Sequence, residues 1–198
     1  MSAPPRFPTA RLLGFIGRLA LIYTLLVLPW PGWSALYSRY FQALGRAAFV
    51  RDDGQRIVTF EPYQDPADPR LDARAIVSNR DRPGKKVYMP FDTRGIGWIP
   101  TALTASLILA TAVPWRRRLW ALFWGLFWVH LFILVSVGVH LWRNSDRVGL
   151  VTFSEWGLYI ADGFDYTLVT QLGTSFSVPV LIWILVTFRR RDGLAAGA

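Results

Sequence analysis

The sequence predicts an α-helical polytopic membrane protein, in which a four-helix transmembrane bundle carries a small extracytoplasmic β-rich cap. Apolar residues form 53% of the chain and gather into four segments, each with roughly the 17–25 residues that cross about 30 Å of hydrocarbon. Arginine clusters flank the segments, and with four crossings and a cytoplasmic N-terminus they all fall on the cytoplasmic side, as the positive-inside rule requires. The segments are Leu19–Tyr37, Gly97–Val113, Leu119–Trp142 and Tyr166–Phe188, and the arginines are Arg6, Arg11, Arg18, Arg116, Arg117, Arg118, Arg189, Arg190 and Arg191.

The distribution of charge agrees with this topology. The chain has 22 Lys and Arg, 13 Asp and Glu and a net charge of +9. The predicted cytoplasmic segments hold nine of the bases and one acid, Asp192, which leaves 13 bases and 12 acids outside. The basic excess that would suggest nucleic-acid binding in a soluble protein is therefore explained by membrane orientation. We expect a multi-pass protein of the bacterial cytoplasmic (inner) membrane with both termini cytoplasmic and no nucleic-acid partner.

The chain contains no cysteine, which excludes disulfides, thiolate metal sites and cysteine nucleophiles. The motifs suggest no catalytic residues, no metal site and no cofactor. The predicted organisation has five parts: residues 1–37, 38–96, 97–142, 143–165 and 166–198.

The first part, residues 1–37, comprises a cytoplasmic N-terminus and the first helix. It could be a signal peptide cleaved near Ser34, but Trp30 and Trp33 suit an interfacial anchor and favour a retained helix. The prolines and glycine of 29–32 should kink or end it.

The second part, residues 38–96, predicts an amphipathic helix followed by the cap. Apolar residues recur at helical spacing from Trp33 to Ala48, so this helix either lies in the outer interface or continues the first span. Arg56–Phe60, Ala73–Ser78 and Val87–Met89 predict two or three strands. About forty-five residues bury little core alone, so the cap should pack on the helices or on a partner.

The remaining parts are a helical hairpin with an arginine turn (97–142), an outer loop (143–165) and the fourth helix with a cytoplasmic tail (166–198). In the outer loop, Val148–Phe153 is a candidate strand that could pair with the cap.

His130 and His140 are the weak candidates for cofactor binding, because ionisable residues inside a membrane are costly and often functional. They lie ten residues apart on one helix, which puts them about 80° apart around its axis and prevents them from clamping one haem. The simpler interpretation is that His130 hydrogen-bonds to a neighbouring helix.

Two further sets of residues predict helix interfaces. Trp120, Trp124 and Trp128 form a stripe that could bind a pigment, quinone or lipid but more often packs against another helix. The fourth segment is the least apolar, and its small and hydroxyl residues favour helix association, with a broken helix lining a substrate site as the alternative. These residues are Gln171, Gly173, Ser175, Ser177 and Pro179.

One stretch resembles a known family. Asp92–Trp142 is similar to the exosortase H-associated small integral membrane proteins, through Gly97-Trp98-Ile99-Pro100-Thr101-Ala102-Leu103, Leu109-Ala110-Thr111 and Pro114-Trp115-Arg116-Arg117-Arg118-Leu119. The resemblance covers about a quarter of the chain. It implies an accessory role near a transpeptidase-like sorting enzyme and brings no catalytic residues with it.

We therefore expect a non-enzymatic accessory protein of the inner membrane whose partners are the lipid bilayer and a membrane protein or further copies of itself. The alternative is a cofactor- or substrate-handling membrane subunit, redox or transport, that uses His130 and the polar fourth helix.

Overall fold

The computed structural model describes residues 9–50, 56–80, 84–150, 154–164 and 174–188. Within them, six α-helices, three strands and one π-helical turn follow each other along the chain. They are α1 (Thr9–Val27), α2 (Trp33–Phe49), β1 (Arg56–Pro62), β2 (Ala73–Asn79), β3 (Lys86–Phe91), the π-helical turn Arg94–Trp98, α3 (Ile99–Ala110), α4 (Trp115–Arg147), α5 (Glu155–Phe164) and α6 (Thr174–Thr187).

A turn separates α1 from α2, so the amphipathic helix is not a continuation of the first span. Gly32 adopts a positive φ of 77° immediately before α2, a conformation that glycine reaches without steric cost. The preceding prolines remove backbone donors and end α1. As a result, the two helices can point in different directions.

The three strands form an antiparallel sheet in the order β1-β2-β3. Phe60, Ala75 and Met89 lie opposite each other across the strands, and all three are buried. This buried face packs on α2, where Phe41 contacts Phe91 at 6.0 Å between ring centroids. The sheet has little core of its own and shares one with the helices.

Helix α3 lies at the centre of a group in which it contacts α1, α4 and α6. Its hydroxyl side chains are buried, and Thr101, Thr104 and Ser106 each donate to the carbonyl four residues earlier. These bonds satisfy polar groups that an apolar interior would otherwise penalise.

Helix α4 joins this helical group to the sheet. Its 33 residues extend about 50 Å at about 1.5 Å per residue, well beyond the roughly 30 Å of a hydrocarbon core. Its buried residues recur at every fourth position for most of its length. The residues of this stripe are Ala121, Gly125, Val129, Ile133, Val137, Leu141 and Ser145, and Gly138 is buried beside it.

The predicted four-helix transmembrane bundle is wrong. Of the described helices, two are long and apolar enough to span a membrane, α1 with a mean hydropathy of 1.7 and α4 with 2.1. The predicted span Gly97–Val113 is divided between the π-helical turn and the 12-residue α3, and the described part of the predicted fourth span is the 14-residue α6. Counting apolar residues overestimated the spans, because the length of each continuous helix decides whether it can cross.

The outer loop also differs from its prediction. Residues 148–150 form the turn that ends α4, where Gly149 has a φ of 68° and the Leu150 N–H donates to the Ser145 carbonyl; residues 151–153 lie outside the described chain. The side chain of Asn79 donates to the Leu150 carbonyl, so this turn contacts the end of β2. Helix α5 follows where a loop was expected.

Gly125→Leu should destabilise the protein, because a Cβ at Gly125 would come within 2.5 Å of the buried Ile108 side chain. We expect a loss of about 1–3 kcal/mol in the free energy of unfolding in detergent, typical of overpacking. Gly17→Leu is the matched control, since a Cβ there meets no atom within 4 Å. Equal stability of the two variants would contradict close packing of α3 on α4.

Candidate binding groove and exposed aromatic face

Two side chains cap the C-terminal end of α1. The Trp98 indole donates to the Leu26 carbonyl at 3.0 Å, and the Arg94 guanidinium donates to the Val27 carbonyl at 2.8 Å. The last carbonyls of a helix have no partner within it, and a cation is favourable at this end of the helix dipole. These bonds hold α1 against the π-helical turn.

Asp72 ties the sheet to the same region. Its carboxylate accepts hydrogen bonds from the Thr93 N–H at 3.0 Å and the Thr93 hydroxyl at 2.7 Å. Its carbonyl accepts one from the Ser38 hydroxyl of α2 at 3.1 Å. Asp72 therefore connects the entry to β2, the π-helical turn and α2.

Aromatic rings fill the space between α2 and the π-helical turn. Trp33 and Tyr37 contact the Trp98 ring at centroid distances of 5.0 and 5.3 Å. Gly97 permits this approach, because a Cβ there would lie 2.6 Å from the Tyr37 hydroxyl. Burial raises the pKa of Tyr37 well above its usual range, while a side-chain hydrogen bond with Thr101 acts in the opposite direction.

A polar groove of about 1030 Å³ opens beside this junction. It is bounded by one face of α2, by the connection between β1 and β2, and by the chain that leads into α3. Arg39, Arg70 and Arg94 contribute its cationic groups, and Asp72 and Asp92 its carboxylates. We call it the polar groove.

Each tryptophan of the predicted stripe comes one residue before a member of the buried stripe of α4, so the two stripes lie about 100° apart around the helix. Trp120, Trp124 and Trp128 are 64%, 44% and 47% exposed, so the described part of the chain covers this face only in part. Neighbouring rings along the stripe contact edge to face at centroid distances of 5.5 to 6.2 Å. We call this surface the aromatic face; its rings are Trp120, Phe123, Trp124, Phe127 and Trp128.

The two histidines of α4 contact aromatic rings of α2 and β3. His130 Nδ1 bonds to the Leu126 carbonyl of its own helix at 2.7 Å, and its ring contacts Tyr40 of α2 at 5.7 Å. The His140 ring contacts Phe91 of β3 at 6.0 Å. The expected hydrogen bond from His130 to a neighbouring helix is replaced by one within α4. Among the described residues, no group of three or more His, Cys, Asp or Glu side chains is arranged to hold a metal ion.

The predicted interface on the fourth segment is described only in part. Pro179 is buried inside α6, Ser177 is half-buried, and Ser175 lies in the first turn of α6. Gln171, Gly173, Arg6 and the arginines 189–191 lie outside the described residues. Of the arginine turn, Arg117 donates to the Thr187 carbonyl at 2.7 Å and so caps the end of α6, while Arg118 donates to the Thr111 carbonyl at 3.1 Å.

The polar groove was not predicted from the sequence. Its charged residues are scattered from position 39 to position 94 and belong to three different segments. The one local signal is the run Asp92-Thr93-Arg94-Gly95, in which Asp92 accepts a hydrogen bond from the Gly95 N–H at 2.9 Å.

Searches with this chain find no matching protein-family model, no matching curated protein and no matching solved structure.

Raising the pH should destabilise the wild type through Tyr37. Because its pKa is raised by burial, the neutral phenol is favoured in the folded state, and its contribution to stability is lost as the pH rises above about 10. Tyr37→Phe cannot ionise, so its thermal unfolding midpoint in detergent should fall less than that of the wild type between about pH 9 and about pH 11. Tyr88→Phe, at an exposed position, should keep the wild-type slope. Parallel curves for wild type and Tyr37→Phe would contradict the burial of this phenol.

Proposed function

We propose that this protein is a non-enzymatic accessory protein of the bacterial inner membrane that binds a membrane-protein partner through the aromatic face of α4. The observation that carries the proposal is the exposure of this face along a helix that is long and apolar enough to span the membrane. The buried stripe of α4 already serves the chain's own core, so the aromatic face is available to another molecule.

The depth of the tryptophans favours a protein over lipid as the occupant. Trp124 and Trp128 follow Arg118 by six and ten residues, or about 9 and 15 Å along the helix, which places Trp128 near the middle of a roughly 30 Å hydrocarbon layer. Tryptophan prefers the membrane interface because its N–H finds a polar partner there. Within the described chain the indole N–H groups of these two residues have no such partner. A partner helix could supply one.

The positions of the arginines support one orientation. Arg11 lies in the first turn of α1 and Arg18 at its midpoint, and Arg116–Arg118 lie in the first turn of α4. Phe15 of α1 stacks on Trp183 of α6 at 5.7 Å, and Arg117 caps the end of α6, so these three helix ends lie together. In the proposed orientation this basic end and both termini face the cytoplasm, and the sheet is extracytoplasmic. The chain then returns from the sheet to the basic end through the π-helical turn and α3, which is too short to span alone and is covered by its contacts with α1, α4 and α6.

The class of partner follows from the resemblance of Asp92–Trp142 to exosortase-associated membrane proteins. In this proposal the partner is a membrane-embedded sorting enzyme of the exosortase type. Contacts of α4 with Tyr40 of α2 and Phe91 of β3 support an extracytoplasmic unit held beside that enzyme.

Photo-crosslinking in cells tests the aromatic face. A photoreactive benzoylphenylalanine in place of Trp128 should give a discrete adduct with one membrane protein, or with a second copy of the chain. The same replacement of Leu21, which is exposed on α1, is the control and should give lipid adducts. Lipid adducts alone at both positions would contradict the proposed partner surface.

Cysteine labelling tests the orientation without background, since the chain has no cysteine. Thr59→Cys lies on the exposed side of β1 and Ala112→Cys lies beside the arginine turn, and both positions are exposed. A membrane-impermeant maleimide should label Thr59→Cys in intact spheroplasts and Ala112→Cys only after permeabilisation. The reverse pattern would overturn the orientation.

A further inference from the structure

The polar groove contains cationic donors that the fold does not use. We propose that it binds the phosphate of a phospholipid headgroup in the extracytoplasmic leaflet. The inference goes beyond partner binding: it rests on α1 crossing the membrane and is independent of the aromatic face.

The carboxylates of the groove are already engaged. Both oxygens of Asp72 accept hydrogen bonds from Thr93, and Asp92 accepts one from the Gly95 N–H. Arg70 forms an ion pair with Asp68 at 2.9 Å. Asp72 and Asp92 therefore have hydrogen-bond partners in the framework, and neither forms an ion pair with Arg39 in the described chain.

Arg39 and Arg94 retain donors for an oxyanion. The Arg39 side chain has no hydrogen bond or ion pair to any residue in the described part of the chain. Arg94 donates one N–H to the Val27 carbonyl, and a guanidinium has five. The planar fork of a guanidinium matches the geometry of a phosphate or carboxylate.

A buried donor next to the groove points to the same kind of ligand. The Trp33 Nε1–H is buried without a hydrogen-bond partner in the described chain and lies at a cavity of about 90 Å³ that shares Ser34, Asp72 and Arg94 with the groove. A buried donor without an acceptor is costly. An oxygen of a ligand entering from the groove would satisfy it.

The position of the groove favours a phospholipid as the source of the phosphate. Arg94 binds the last carbonyl of α1, so the groove lies level with the end of a membrane-spanning helix, where headgroups are found. Leu28 and Trp30 are exposed at the cavity that adjoins the groove, and Ile99 is one of the residues that line the groove. Apolar and cationic groups thus lie side by side, as an amphipathic ligand requires.

Native mass spectrometry of the full-length, delipidated protein in mild detergent tests the proposal with dihexanoyl-phosphatidylglycerol as the probe. We expect saturable binding of one lipid, weakened about tenfold in Arg39→Gln by loss of charge-assisted hydrogen bonds. Arg39→Lys keeps the charge but loses the fork, so its affinity should be intermediate. Arg46→Gln removes the same charge from the same helix outside the groove and should bind as the wild type does.

Four outcomes would overturn the proposal. Unchanged affinity in Arg39→Gln would show that the groove is not the lipid-binding site. Equal affinity for phosphate-free dihexanoylglycerol would show that the phosphate is not recognised. Displacement of the lipid by equimolar inorganic phosphate would assign the groove to a free anion. Displacement by a hexaglutamate peptide would assign it to an acidic segment of a protein.

Discussion

The buried stripe of α4 is the constraint on which the rest of the structure depends. Its members recur every four residues, whereas a helix turns in 3.6, so the buried direction rotates by about 40° at each step. Near its start the stripe therefore faces α3 and α6, where Gly125 meets Ile108 and Val186. Further along it faces α2 and the sheet, where Gly138 meets Phe49. One continuous helix thus serves two different sets of neighbours, and the sheet gains the core that it is too small to form alone.

The junction beside α1 depends on that arrangement. Since α4 holds the sheet against α2, Asp72 reaches both Thr93 and Ser38, and the connection between β1 and β2 is fixed opposite α2. The polar groove is the space left between them. Its framework is held by hydrogen bonds that use the carboxylates, and Arg39 forms no hydrogen bond or ion pair within the described chain. The charge of the predicted extracytoplasmic segments is almost balanced overall, but its distribution within the fold is uneven.

Much of the local structure could be predicted from the sequence, and the candidate site could be predicted only in part. The β-branched runs predicted the strands, and the helical spacing of apolar residues after Trp33 predicted α2. The stripe of Trp120, Trp124 and Trp128 was recognised in the sequence. The sequence could not show that the described part of the chain would leave these rings partly exposed. His130 was expected to hydrogen-bond to a neighbouring helix, but its Nδ1 bonds within α4 and its ring contacts Tyr40 of α2. How far a helix continues depends on which residues pack against its end. A count of apolar residues along the sequence does not contain that information.

The sequence by itself determined the elements whose cause is local: the apolar character of α1 and α4, the helix-ending prolines and glycine at 29–32, the amphipathic α2, strand-forming runs in the β-rich segment and the arginines at the start of α4. The tertiary structure alone decided that α3 is a short buried helix, that α4 continues past the other helices onto the sheet, and that Arg39 and Arg94 line one groove. The reason is physical. Periodicity and turn residues act over a few neighbouring positions, whereas the groove joins residues more than fifty positions apart through contacts that exist only after α2, the sheet and α4 have packed together.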